Sequence, residues 1–423
     1  MHVGTAGYDL GIFDQAVRAY AELHAPVVPL KGPGFDLLGD HFHPIVALLA
    51  PFYRLWPDAR MLLVAQALLI AASIVPILRF AERRLGRARG MAVAVAYGLS
   101  WGVQGAVAFD FHEIAFAVPI LAFALTSLAD GRTRAAAAWS AALLLVKEDM
   151  GLTVAAIGVL LMLRRSRRLG AVVAVAGMAA SALAILVVIP YLNPHGEYGY
   201  WSAVGGAGNG SGLLHAATVG IGGKLVLLAY VAGVTAFVAL RSPLALVAVP
   251  CLAYRLASNN PLYWSTQVVH YNAILMPIMF VAFVDGVGRL ERGRWPYARL
   301  AVPAVLLIAV ALVPGHQFRH LYDPEFYRMP PHARAAHRIL RLVPDGARVA
   351  AGNYLAPQLT DRCDVVLFPN VDHVPVDWVV VDTARMSGVP APREQQEAAL
   401  AGLSSEGFQR FAQDDGIVVF RHV

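Results

Sequence analysis

Long apolar runs broken by short polar stretches fill the chain from residue 60 to residue 313. A membrane-crossing helix needs roughly 20 apolar residues, fewer where neighbouring protein shields it. The runs predict spans at 60–80, 91–109, 114–129, 135–146, 150–163, 169–191, 219–240, 243–257, 263–284 and 300–313. Residues 44–56 are apolar but short, as expected of an interfacial or re-entrant helix or of the head of the first span. Beyond Gly315 the pattern becomes mixed. Residues 330–344 read as a helix with Pro at its start, and two further helices are expected near 354–360 and in "PREQQEAALAGL". "ARVAA" and "DVVLF" read as short strands, and "DWVVVD" and "GIVVF" are β-branched runs, hence strands. The chain thus divides into 1–58, a loop with an acidic motif and an interfacial helix; 59–314, a multi-span domain; and 315–423, an α/β domain of ordinary size.

Arginine orients the spans. "RFAERRLGRARG", "DGRTR", "RRSRR" and "DGVGRLERGRWPYAR" carry five, two, four and four arginines, and short positive loops stay on the cytoplasmic side. The N-terminal region, "FDFHE", "NPHGEYGYW", "SNNPLYWSTQVVHY" and everything after Pro314 then face outward. This makes the chain an α-helical polytopic protein of the plasma membrane with an extracytoplasmic C-terminal domain. "VKED" (146–149) falls between two short apolar halves, at the tip of a hairpin that reaches the outer half of the bilayer. Composition agrees: 58% of residues are hydrophobic and 15% charged, where a soluble domain carries about 25% charged residues. The net charge of +6 does not indicate nucleic acid, because the arginines lie in the breaks between spans. Two cysteines, Cys251 and Cys363, exclude a disulfide framework and a paired-cysteine metal site. No secretory leader, internal repeat, P-loop, dinucleotide fingerprint, HExxH or GxSxG is present, which argues against an ATP-driven pump and a zinc protease.

This sorting collects nearly all acids and histidines outside the cytoplasmic loops on one face. Asp9 and Asp14 stand in "AGYDLGIFDQAVRAY"; either could serve as a general base, or Asp9 could cap a helix with Asp14 in solvent. Asp40, His41 and His43 in "GDHFHP" could hold a divalent cation, meet a phosphate, or cap the next helix. Asp110, His112 and Glu113 crowd a very short loop. Lys147, Glu148 and Asp149 interrupt an apolar stretch, where each ionisable group costs roughly 3 kcal/mol and marks function or pairs with another. His270 and Tyr271 stand at an outer helix end, and Lys31 in "KGPG" is a weak phosphate signal.

The segments "YDLGIFDQ", "GDHFHP", "FDFHEIAF", "LLLVKEDMGL" and "HYNAILMP", with the late "GARVAAGNYLAPQLTDRCDVVLFP" and "DWVVVD", together resemble the membrane protein family called domain of unknown function 2079, over nearly the whole chain. That family in turn resembles the GT-C class of integral-membrane glycosyltransferases, such as protein O-mannosyltransferases and lipid A aminoarabinose transferases. The resemblance implies a GT-C-like fold, a polyprenyl-phosphate sugar donor and an acceptor on the outer face. By position Asp9 is the expected base and Asp14 the second choice. Lys147 is the expected phosphate contact, with Glu148, Asp149, His270, Tyr271 and Lys31 around the substrate. Asp40, His41, His43, His112 and Glu113 would hold a divalent metal or orient the lipid phosphate. GT-C proteins carry a membrane helix before the first outer loop, whereas this sequence opens within the loop. Two rival readings are an ion- or proton-coupled transporter using Lys147, Glu148 and Asp149, and a membrane scaffold without chemistry.

Overall fold

The computed structural model describes residues 4–200, 215, 218–267, 270–370 and 372–423. Trp201, Val268 and Val269 of the expected outer segments therefore lie outside the described residues.

The first helix, α1 (Ile12–Ala21), is amphipathic and buries Phe13, Ala16 and Val17. Among the described residues four helices are long and apolar enough to cross a membrane: α2 (Arg60–Leu85), α8 (Arg167–Leu192), α11 (His270–Arg292) and α12 (Pro296–Gly315). The run expected at 91–109 is a bent pair, α3 (Arg87–Gly98) and α4 (Trp101–Ala108), angled by 45°. Shorter apolar helices are Pro44–Leu55, α5 (Ile114–Ala129), α7 (Met150–Leu163), α9 (Ile221–Gly233) and α10 (Pro243–Leu256), with α6 (Thr133–Ala142) between α5 and α7. Among the short helices, α5 is covered by protein, whereas α9 is largely exposed. Nearly every residue of α5 is buried, as expected of a helix apolar on all faces.

Two expected spans end elsewhere. The run at 219–240 stops at Gly233, and the chain turns through Ala236 and Phe237 with left-handed φ of 48° and 62°. The run at 263–284 begins later and continues to Arg292. Pro261 first forces a short turn, capped by the Asn260 side chain on the Leu262 amide.

Helices α7 and α8 pack through paired glycines. A Cβ on Gly151 would come within 2.2 Å of the Gly177 carbonyl oxygen, and one on Gly170 within 2.5 Å of the Gly158 carbonyl oxygen. Only glycine permits that backbone approach. The contact fixes the hairpin tip, where the Ser181 hydroxyl donates to the Glu148 carbonyl at 2.5 Å.

Near the C-terminus, α13 (Pro331–Leu340) leads into five strands: β1 (Arg348–Ala351), β2 (Asp364–Leu367), β3 (Trp378–Asp382), β4 (Phe408–Asp414) and β5 (Ile417–His422). The sheet order is β2-β1-β3-β5-β4, with β2, β1 and β3 parallel and β5 and β4 antiparallel to their neighbours. Alternate residues face opposite sides. Val349, Ala351, Val365 and Val380 join one continuous core with α1 and the spans, while Ala350, Val366, Val379 and Val381 form a second core beside α14 (Arg393–Gly402). The helix expected near 354–360 is a single short turn at Ala356–Gln358.

Candidate functional site

A cavity of about 410 Å³ opens where the N-terminal segment meets α5, the α6–α7 tip and α10. Asp9, Lys31, Asp40, His41, His43, His112, Glu113, Lys147, Glu148, Asp149, His270 and Tyr271 all line it. The sequence expectations scattered over 260 residues thus fall around one space. Asp14 is the exception: it does not line the cavity. Five residues along a helix turn the side chain by roughly 140°, which carries Asp14 into the packing below, fully buried.

Asp9 is set from two sides. The Ala6 amide donates to Asp110 Oδ2 at 2.7 Å. On the other side the Gly7 amide donates to the Asn353 carbonyl at 2.7 Å and the Tyr8 amide to Asn353 Oδ1 at 3.0 Å. Asn353 stands two residues past the end of β1, so the loop at the carboxyl end of that parallel strand grips the two residues preceding Asp9. Gly7 is required there, since a Cβ would lie 2.9 Å from that of Ala356. Two more clamps follow on α1: Gln15 Nε2 donates to the Val365 carbonyl at 2.8 Å, and Arg18 donates to the carbonyls of Thr360 and Cys363.

Asp9 Oδ1 lies 3.5 Å from His112 Nε2. The other ring nitrogen of His112 is 3.1 Å from the Asp110 carbonyl, an acceptor only, so Nδ1 carries a proton. Burial by itself would remove the charge of His112, but the Asp9 and Glu113 carboxylates more than offset it and raise its pKa. Its ring stacks on His270 at 3.7 Å. The amide of Gln66 on α2 donates to the Ala106 and Phe109 carbonyls, while its oxygen accepts from the His112 amide at 3.0 Å, fixing this loop to the span.

Most acids in the cavity are matched to cations or donors. Lys147 Nζ donates to Glu113 at 2.7 Å and Lys31 to Asp40 at 2.6 Å. Glu148 accepts from His41 Nδ1 at 2.7 Å, from the Phe42 amide at 3.1 Å and from the Tyr198 hydroxyl at 3.2 Å. Tyr200 stacks on His41 and donates to Asp40 at 3.1 Å. His43 is enclosed beside Phe13, and burial lowers its pKa to about 4, so it is neutral.

The expected metal ligands therefore do not gather into one set. Among the described residues no group of three His, Cys, Asp or Glu side chains is placed to hold a metal ion. Asp40 and Glu113 are each joined to a lysine, and His41 to Glu148. This donor set does not fit a divalent cation.

Three polar atoms of the lining, Asp149 Oδ1, His270 Nδ1 and His43 Nδ1, are buried without a partner. Each unmet group costs roughly 1–3 kcal/mol, and such a cluster suits a space completed by a ligand.

Arg255 was not foreseen. It is buried in α10, lines the cavity and donates to the Tyr263 and Tyr271 carbonyls and to Asn272 Oδ1. It forms no ion pair, and no carboxylate among the described residues neutralises it. A lone arginine inside an apolar run was its signal in the sequence.

A comparison with curated proteins found no match. Two solved structures are similar in fold. ArnT from Cupriavidus metallidurans bound to undecaprenyl phosphate matches with a TM-score of 0.60 and 14% identity, over 99% of this chain and 94% of that one. The same protein in the apo state matches with a TM-score of 0.58 and 12% identity, over the same shares. The fold is thus ArnT-like, of the GT-C type. Residues 2–419 match the family described as "Predicted membrane protein (DUF2079)", and the chain belongs to that family.

Proposed function

We propose that this protein is an integral-membrane glycosyltransferase that moves a sugar from a polyprenyl phosphate to an extracytoplasmic acceptor. The supporting observation is the division of charge in the cavity. Asp9 and His112 stand together in one part of it, and Lys147 and Arg255 supply cations elsewhere in the lining. The similar fold of ArnT, crystallised with undecaprenyl phosphate, supports the same donor class.

In this reading the acceptor oxygen or nitrogen attacks the anomeric carbon while the bond from that carbon to the phosphate oxygen breaks. The configuration inverts. The acceptor's proton passes to Asp9, held in place by the Asn353 grip and by His112. The leaving polyprenyl phosphate keeps the bonding electron pair, and its charge is met by Arg255 and the free N–H groups of Lys147. An apolar groove between Leu145, Leu183 and Val188 borders Lys147 and would take the start of the polyprenyl tail. The α/β domain stands on the extracytoplasmic side. No step passes through a metal.

The test is transfer from a panel of radiolabelled polyprenyl-phosphate sugars by membranes containing the full chain or its Asp9→Asn variant. Transfer that falls by at least a hundredfold in the variant is the expected result. Equal transfer in both would remove Asp9 as the base. No transfer from any donor would favour transport or scaffolding.

A further inference from the structure

A second cavity, of about 530 Å³, lies on the Asp14 side of α1, between the head of α2, the helix α13 and the turn at 357–361. Its chemistry is opposite to that of the first. The sequence of α13 turns Ala333, Ala336, Ile339 and Leu340 into the core. The same periodicity sends Arg334, Arg338 and Arg341, at i, i+4 and i+7, to one exposed face that lines the cavity.

Two of the lining arginines are neutralised. Arg338 is held by Asp414 at 2.6 Å, and Arg60 by Asp58. Arg334 gives one N–H to the Met329 carbonyl at 3.0 Å and forms no ion pair among the described residues. Arg341 likewise forms no ion pair among the described residues. The remaining acid of the lining, Asp361, forms no ion pair with Arg334 or Arg341; the arginines that act on it are Arg362, Arg18 and Arg60, and its Oδ1 is buried without a hydrogen-bond partner among the described residues. Two guanidinium groups thus face one space with their charges unmatched.

The place of the cavity is the second observation. Arg60 opens the α2 span, and the residues just before it, Phe52, Leu55 and Trp56, are exposed apolar side chains, Leu55 by 85%. A Trp-containing apolar patch at a span end marks the membrane–water boundary. The cavity therefore opens at head-group level.

We propose that this cavity binds the phosphate of an anionic lipid head group from the adjoining leaflet, gripped by Arg334 and Arg341. The guanidinium fork matches a phosphate in a way an ammonium does not. The inference concerns a separate site and stands whether or not the chain transfers sugars.

The test uses the full-length protein purified in mild detergent, with co-purifying phosphatidylglycerol counted by mass spectrometry. Arg334→Gln/Arg341→Gln should retain at least threefold less of this lipid than the wild type. The charge-matched control Arg393→Gln/Arg410→Gln, at exposed arginines elsewhere, should retain as much as the wild type. Arg334→Lys/Arg341→Lys keeps the charge and packing and should fall between them. In a second arm, glycerol 3-phosphate is added. No displacement of the lipid identifies the head group within its bilayer as the ligand. Displacement with the same arginine dependence keeps the phosphate site and makes its source soluble. Equal phosphatidylglycerol on the wild type and on both glutamine variants overturns the proposal.

Discussion

The cavities on either side of α1 handle buried charge differently. In the inner one, Glu113, Asp40 and Glu148 are paired with Lys147, Lys31 and His41, and Arg255 is left over. In the outer one, arginines outnumber the acids that reach them, and the acids Asp14 and Asp361 sit beneath with buried, unpartnered oxygens. The first arrangement keeps ions charged in a low-dielectric space. The second raises the cost of charging its acids: burial, reinforced by the nearby Asp361 and Asp58 carboxylates, pushes Asp14 up to about 7. Two acids five residues apart on one segment thus have different surroundings, Asp9 beside His112 in an open cavity and Asp14 in the packing between domains.

The largest effect should come from breaking an inner pair. Glu113→Ala leaves the Lys147 ammonium without its partner and should destabilise the protein by roughly 3–5 kcal/mol. Glu113→Leu/Lys147→Met should recover most of this loss, since it removes the unmatched charge and fills the space with apolar side chains of similar volume. Thermal unfolding in detergent reads both. A Glu113→Ala protein as stable as the wild type would mean that water already solvates Lys147.

Asp14 should behave in the opposite way. Its folded pKa of about 7 lies above the unfolded value of 3.8, so the folded state favours the protonated form. Stability is then full below about pH 4 and falls as pH rises toward 7. The difference corresponds to at most about 4 kcal/mol. Asp14→Asn should abolish this slope, match the wild type near pH 4 and exceed it at pH 8. A less stable variant at pH 8 would show that the carboxylate is ionised and paired, which removes the contrast between the cavities.

The smallest effect concerns the helix that carries the outer arginines. His332 on α13 bridges Asp382 at 2.7 Å and Asp415 at 3.0 Å. Burial works against its charge, but these two carboxylates raise its pKa. Its stabilisation is present below the unfolded value of about 6.5 and lost as pH rises through the folded value. The pair with Asp415 is solvated, so the change should stay within about 1 kcal/mol. His332→Gln should flatten this part of the stability profile, and an unchanged profile would show that the bridge contributes nothing.

The sequence shows the inner site well for a physical reason. An acid, lysine or histidine in an apolar chain is conspicuous, and Asp9, His112, Glu113 and Lys147 all line the cavity. Arg255 lay inside a run counted as a span, where it broke no pattern long enough to notice. Asp14 is close to Asp9 in the chain, but helical rotation separates them. Strand β4, "FQRFAQD", was missed because an edge strand that is largely exposed lacks the apolar alternation of a buried one. The parallel strands were legible from β-branched runs. Their grip on residues 7 and 8 was not, because nothing local in "AGYDLG" refers to Asn353.

That grip also sets an order of events. Tyr8 and Gln15 find their partners Asn353 and Val365 at separations of 345 and 350 residues. The segment bearing Asp9 is synthesised long before Asn353, which holds it. Contacts so distant in sequence form late, and domains fold as units during synthesis. The cavity therefore stays incomplete until the last strands are made, and a chain cut short before Asn353 has its spans in place but the Asp9 carboxylate unplaced.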